Sequence, residues 1–409
     1  MSSIYKNAYI TLSATLAENH ESGFITQRKI TQVPIEIPPK RQAPIGLQVR
    51  EVVHNSEASD YVPDPLDTRA WAFQERLLSK RVVSFGSNEL SWECGSSTWT
   101  ESGNASHRDV VGTASSRDLY QSTLCTATGI LSSNGQPEDC ARSKIYAWWC
   151  TSIVPAYTKL RLTKEEDKLP ALSAIAATIQ LNTQDTYLAG LWKSHLLLCL
   201  VWRSSSGGYW PEPGQLSRKY VAPSWSWASI TTTAISGEKE LVDKYVTTKV
   251  LDAGCNGMGL NPTGKVKRGF IKLSSRWVSA TMRISAVAGM SDEKSFLYSF
   301  EGLPLWGNGL TFWPDVPLIQ GKFSTAGGGS IETIQRSSLI PGHKRPSYSA
   351  TVACILIGKF SSRQFVFIVL GHSTKETGAF ERLGLIKIHE SYFSPGFYQN
   401  MEIAEFLIE

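Results

Sequence analysis

The hydrophobic period changes once, between Asp64 and Cys94, and that change constrains the fold more than any other feature of the chain. The stretch reads D-P-L-D-T-R-A-W-A-F-Q-E-R-L-L-S-K-R-V-V-S-F-G-S-N-E-L-S-W-E-C. In its first half Leu66, Ala70, Phe73 and Leu77 recur at helical spacing, which predicts a helix with that face buried. Asp64 is placed to cap it, Pro65 suits the first helical position, and Asp67 puts negative charge in the first turn. Trp71, Glu75 and Leu78 form a neighbouring stripe, with a carboxylate one turn beyond an indole. Beyond Lys80 the period is two. Val83 and Phe85, the turn Gly86-Ser87-Asn88, and Leu90, Trp92 and Cys94 predict a hairpin with one apolar face. This stretch therefore reads as a helix feeding a hairpin, and with a helical middle and a β-rich C-terminal region further along the chain the expected class is α+β.

The rest of the chain divides by texture. Its 409 residues allow two or three domains. Residues 1–28 suggest a short helix, a strand through Tyr9–Ser13 and a loop; 29–63 read as a proline-rich surface loop with a strand near Gly46–Val53. Residues 95–140 are rich in Ser, Thr and Gly and read as an irregular excursion. Three helices are predicted next: Ile145–Leu160, interrupted at Pro155, then Pro170–Leu181 and Tyr187–Arg203. Thr163-Lys164-Glu165-Glu166 has the form of a capping box. Beyond Pro223 the chain turns β, with Trp225 and Trp227 alternating with serines. Further strand-like runs lie at 269–273, 351–358, 364–370, 384–388 and 403–408. The expected organisation is 1–110, a helical region 111–222, and an antiparallel β-rich region 223–409.

Composition excludes several classes. Hydrophobic content of 42% with 19% charged residues describes a folded chain, not a disordered one. The net charge of +5 is spread along the chain in short clusters, so no specific nucleic-acid site is expected. Seven cysteines, with no C-x-x-C and no histidines at ligand spacing, argue against a disulfide framework or a zinc site and fit a reducing, cytoplasmic setting. The most apolar run, 187–202, carries Lys193 and His195 and is too short to span a membrane. The 13 tryptophans are read chiefly as core packing.

R-A-W-A-F-Q-E-R-L-L-S-K-R-V followed by L-S-W-E-C resembles the closing segment of the fungal heterokaryon incompatibility (HET) domain. I-Y-K-N-A-Y-I-T-L-S-A at 4–14 resembles the middle of that domain. Y-L-A-G-L-W-K at 187–193 and P-S-W-S-W-A-S at 223–229 are similar to segments downstream of it. The resemblance implies that 1–110 is the C-terminal part of a HET domain of TIR-like α/β type, with roughly its first half absent before Met1. It implies a role in non-self recognition leading to programmed cell death after hyphal fusion. It also implies a protein partner or self-association, and no cofactor. Some TIR domains cleave NAD, with the acting glutamate four residues after a tryptophan. By that analogy NAD is a possible substrate, Glu75 the catalytic residue, and Trp71 and Arg69 the binding residues. Set against this, Glu75 also suits an ion pair with Arg69 or Arg76, or simple solvation, and Arg69 and Arg81 suit ion pairs. A third role is an inactive or regulatory fragment that binds a full-length partner.

Other motifs are weaker. Gly259-Leu260-Asn261-Pro262-Thr263-Gly264-Lys265 matches most of a phosphate-binding loop, but Val266 replaces the hydroxyl residue and a strand follows, so a β-turn is expected. His107, His195 and His372 have no sequence context tying them to a nucleophile.

Overall fold

A computed structural model of the chain describes residues 2–25, 32–35, 47–50, 63–87, 89–95, 97–101, 103, 105–107, 139–205, 214–236, 241–242, 245–286, 296–303, 310–324, 329–337, 348–394 and 396–409. Helices and many strands are both present, so the class is α+β. Two compact units, 1–122 and 123–409, divide the chain. Among the described residues, no helix is long and apolar enough to cross a membrane.

In the first unit, α1 (Ser2–Asn7) precedes β1 (Thr11–Ser13), and β2 (Gln32–Ile35) pairs with β3 (Leu47–Arg50). A 3-10 turn at Pro65–Thr68 leads into α2 (Ala70–Leu78). Then come β4 (Arg81–Phe85), β5 (Leu90–Cys94), β6 (Ser97–Thr100) and β7 (Ala105–His107). The sheet order is β1-β4-β5-β6-β7; β1 runs parallel to β4, and the other neighbours are antiparallel. Strands β6 and β7 thus extend the hairpin into the stretch expected to be irregular, whose residues 108–138 lie outside those described.

Four local expectations are overturned here. The helix does not run through from Pro65, because Arg69 is extended (φ −93°, ψ 125°) and separates the 3-10 turn from α2. The Asp64 side chain caps nothing; its Oδ2 accepts from the Ser87 N–H at 3.1 Å and so holds the hairpin turn. With the helix restarted at Ala70, its buried face is Ala70, Gln74, Leu77 and Leu78, while Leu66 and Phe73 are half-buried. The hairpin also buries the other side. Val82 and Ser84 are covered, whereas Val83 and Phe85 are only half-buried. The reason is visible in Arg76 of α2, which reaches Glu93, the register partner of Val82. The helix therefore lies on the Val82 side of the sheet.

In the second unit, α3 (Asp139–Trp148) passes through a π-turn at Trp149–Ile153 into α4 (Val154–Thr158). Pro155 does not end the helix: it sits in the first turn of α4, directly after the wider π-turn. The expected capping box is instead a 3-10 turn, Glu165–Asp167, capped by no side chain. Glu165 accepts the Arg218 N–H at 2.7 Å. Next is α5 (Ser173–Thr183). The predicted helix over 187–203 is mostly not one: β8 (Tyr187–Leu188) and β9 (Leu191–Trp192) form a hairpin, and only α6 (Leu196–Cys199) is α-helical. Ala189 (φ 46°) and Gly190 (φ 102°) hold left-handed conformations that no right-handed helix accommodates.

That turn is where the two downstream motifs meet. The Gly190 carbonyl accepts the indole N–H of Trp149 (2.8 Å) and of Trp227 (2.9 Å), and the Ser226 hydroxyl donates to the Ala189 carbonyl at 2.5 Å. A Cβ on Gly190 would lie 2.7 Å from the Trp227 ring, so only glycine fits. Trp225 and Trp227 are fully buried, in a turn and a 3-10 segment (Trp227–Ser229), not in the expected strand.

After β10 (Arg203–Ser205), paired with β11 (Thr233–Ile235), the chain builds its large sheet. This holds β12 (Lys249–Gly257), β13 (Val266–Ala286), β14 (Phe296–Glu301) and β15 (Leu310–Pro314). A separate ribbon, β16 (Leu318–Ser324) with β17 (Ser330–Arg336), precedes β18 (Tyr348–Lys359), β19 (Gln364–His372), β20 (Phe380–His389) and β21 (Glu402–Ile408). The phosphate-loop look-alike is the turn of the β12–β13 hairpin, closed by Met258 N–H to the Lys265 carbonyl at 2.7 Å. Neighbours run β13-β18-β19-β20. Strand β21 pairs with β13 from Ile271 to Trp277 and meets β20 at Phe380–Ile408, so the path returns to β13 and the sheet closes. Strands β18, β19 and β20 are buried on both faces, which is why they read as continuous apolar runs.

Arg382 of β20 is fully buried and ties the helical part to the sheet. Its Nε and Nη2 donate to the two Asp315 carboxylate oxygens (2.8 and 3.1 Å), Nη1 to the Leu200 carbonyl and Nη2 to the Trp202 carbonyl. The guanidinium also lies 3.8 Å from the Trp202 ring centre. Such a pair is tolerable in an interior only because its hydrogen-bonding capacity is used.

Candidate functional site

Helix α2 carries two of the three residues singled out by sequence, the third directly precedes it, and α1 supplies a fourth. Trp71 and Glu75 are one turn apart on α2, both half-buried, and Arg69 is exposed at the extended residue before it. Tyr5 on α1 lies close enough to Glu75 for each side chain to shift the other's titration. Burial raises the Glu75 pKa, opposed by the Tyr5 hydrogen bond and by the charge of Arg69. Burial and the adjoining Glu75 charge push the Tyr5 phenol up to about 12. Tyr5 is therefore a donor across the neutral range, and Glu75 is an acceptor that takes a proton more readily than a solvated glutamate.

The ion pairs fall elsewhere than the spacing suggested. Arg76 turns away from Glu75 to Asp67 (3.1 Å) and to Glu93. Among the described residues no ion pair joins Arg69 to Glu75; Arg69 acts through its charge alone. Arg81 lies 4.8 Å from the Tyr9 ring centre and donates to the Tyr9 carbonyl, in place of the expected ion pair. The end of α2 is tied to β1: the Ser79 hydroxyl donates to the Glu75 carbonyl (2.7 Å) and lies 2.8 Å from Thr11 Oγ1. The Glu75 carboxylate of α2 is thus half-buried, with Tyr5 of α1 beside it and the charge of Arg69 within electrostatic reach. Such a carboxylate can accept hydroxyl hydrogens, and its raised pKa makes it a better base than a solvated glutamate.

Sequence reasoning missed Tyr5. It lies within the quoted I-Y-K-N-A-Y-I-T-L-S-A segment, but nothing in its spacing relates it to Glu75, seventy residues away. Elsewhere, His195 Nε2 lies 3.2 Å from Ser143 Oγ, and His372 stacks on Phe323 at 4.1 Å, where burial lowers its pKa. The side chain of His107 lies outside the described residues. Among the described residues no group of three or more His, Cys, Asp and Glu is placed to hold a metal ion.

No curated protein and no solved structure matches the chain. A family model described as heterokaryon incompatibility protein (HET) matches residues 1–75, a span that opens with α1 and ends at Glu75 itself. The N-terminal part of this chain carries a partial HET domain.

Proposed function

We propose that this chain acts in heterokaryon incompatibility, the recognition of non-self after hyphal fusion that ends in programmed cell death. The observation that carries this reading is the family match over residues 1–75. A fungal, cytoplasmic setting, a TIR-like relationship of the HET part, and the division into 1–110, 111–222 and 223–409 belong to the same proposal. Its test is expression of the chain in one of two otherwise identical filamentous strains. Dead fusion compartments should rise in mixed pairings and fall back when Glu75 and Tyr5 are both substituted in a chain that still folds. Equal viability in all pairings would sink the reading.

A second reading is favoured by the surroundings of Glu75, a carboxylate raised by burial beside Trp71 and Tyr5. In it the chain cleaves NAD. Glu75 accepts ribose hydroxyl hydrogens and stabilises the oxocarbenium-like transition state while the C1′–nicotinamide bond breaks and water adds at C1′. Trp71 and Arg69 hold the dinucleotide. Purified chain should then release nicotinamide from NAD and lose this on Glu75→Gln; no release by the unsubstituted chain removes the reading. A third, a regulatory fragment docking on a full-length partner, is favoured by β1, which ends its sheet with Leu12 58% exposed and Tyr9 79% exposed beside it. Such a fragment tolerates Glu75→Gln but loses its partner on Leu12→Lys.

A further inference from the structure

The P-S-W-S-W-A-S segment has two sides. Its tryptophans are core residues, but Ser224 and Ser229 line a cavity of about 860 Å³ between residues 216–229, the start of β13, the end of β17 and residues 374–381. Five cations line it, Arg218, Lys219, Arg268, Arg336 and Lys375, against the carboxylates of Glu376, Glu381 and Glu409. Two cations are engaged: Lys219 with Glu166 at 3.4 Å and Lys375 with Glu381 at 3.0 Å. Among the described residues, Arg218, Arg268 and Arg336 have no ion-pair partner.

Arg336 is the built element of the site. Its Nη2 donates to Ser229 Oγ at 2.8 Å, while its Nε is shielded from solvent and meets no acceptor among the described residues. The Ser217 hydroxyl, on the same lining, is likewise buried and without a partner there. Buried donors without acceptors are rare in folded proteins and call for a ligand or water. Burial pulls the Arg336 pKa below its ordinary value, opposed in part by the charges of Asp315 and Glu381, which lie beyond pairing distance. On the acidic side, burial holds Glu409 above its ordinary range, and Glu376 adds to this. Tyr220, 52% exposed, and Phe270, 39% exposed, also line the cavity.

We propose that this cavity binds a phosphorylated small molecule bearing a flat ring, its phosphate held by Arg218, Arg268 and Arg336 and its ring by Tyr220 and Phe270. The volume lies in the range of small-molecule sites. Guanidinium forks match phosphate oxygens two at a time, and several of them suit a multiply charged phosphate better than a single carboxylate. Ring faces add stacking area.

The test is calorimetric titration of the full chain with ADP, adenosine and inorganic phosphate. ADP should bind more tightly than either of the others, and more weakly as salt is raised. Arg218 and Arg268 are exposed, so Arg218→Ala and Arg268→Ala should leave the melting temperature unchanged. Each should weaken ADP about tenfold, and the double variant more than either alone. Absence of ADP binding at millimolar concentration, or equal affinity in the double variant, would overturn the proposal. Adenosine binding as well as ADP would refute the phosphate role, and inorganic phosphate binding as well as ADP would refute the ring role.

Discussion

Lys168 offers a quantitative test of the packing. It is 5% exposed; its ammonium donates to the Ile230 carbonyl and lies 5.7 Å from the Trp227 ring centre. Burial pulls its pKa from 10.5 down to about 7, against a smaller opposing effect of Glu165. The folded form therefore releases a proton that the unfolded chain keeps between about pH 7 and pH 10.5. Stability must rise with pH across that window. Below it both states are charged and the folded state bears the full penalty of burying the ammonium, about 5 kcal/mol at 1.36 kcal/mol per pKa unit. Because the group is half-titrated at pH 7, about 2 kcal/mol of that should return between pH 7 and pH 9. The assay is denaturant unfolding of the wild type and of Lys168→Met at pH 5 to 9. The difference between them should be flat below pH 6 and climb in favour of the wild type by about 2 kcal/mol from pH 7 to pH 9. Parallel curves would refute the reasoning, because they would mean Lys168 reaches water.

Three other perturbations probe separate parts of the chain. Gly190→Ala sets a Cβ 2.7 Å from the Trp227 ring at a φ of 102°, so it should destabilise the second unit by about 3 kcal/mol or more, seen as a lowered melting temperature. Asp315→Ala leaves Arg382 charged and buried and should lose about 3–5 kcal/mol, whereas Asp315→Ala with Arg382→Met should recover much of it; equal losses would argue against the pair. Tyr5→Phe removes a hydrogen bond that favours the ionised Glu75, so the Glu75 carboxyl should titrate at higher pH than in the wild type, as followed by carbon NMR; an unmoved titration would show that the two side chains do not meet.

The legible parts of the fold were those set by side-chain period alone. Strands β18 to β21 appear where apolar runs are bounded by turn residues, and the hairpin at β4–β5 appears where the period drops to two. What failed depended on partners distant in sequence. The 187–203 run is apolar enough for a helix, yet the turn at Ala189–Gly190 is fixed by indoles from residues 149 and 227. Asp64 has a cap's position, but the Ser87 amide claims its carboxylate. The hairpin's buried side follows Arg76 reaching Glu93, which a strand's own alternation does not reveal. At the candidate site the stripe of Trp71 and Glu75 was readable from helical spacing, whereas Tyr5 entered only through the packing of α1 on α2. The P-S-W-S-W-A-S segment was legible as core but not as cavity wall, since the arginines facing its serines come from β13 and β17.

The most direct measurement is the viability of fusion compartments between filamentous strains with and without this chain, scored by a dye that enters only dead cells. Incompatibility carried through the HET part predicts dead compartments in mixed fusions, few in self-fusions, and loss of the difference when residues 1–75 are deleted. Mixed fusions as viable as self-fusions would contradict the account.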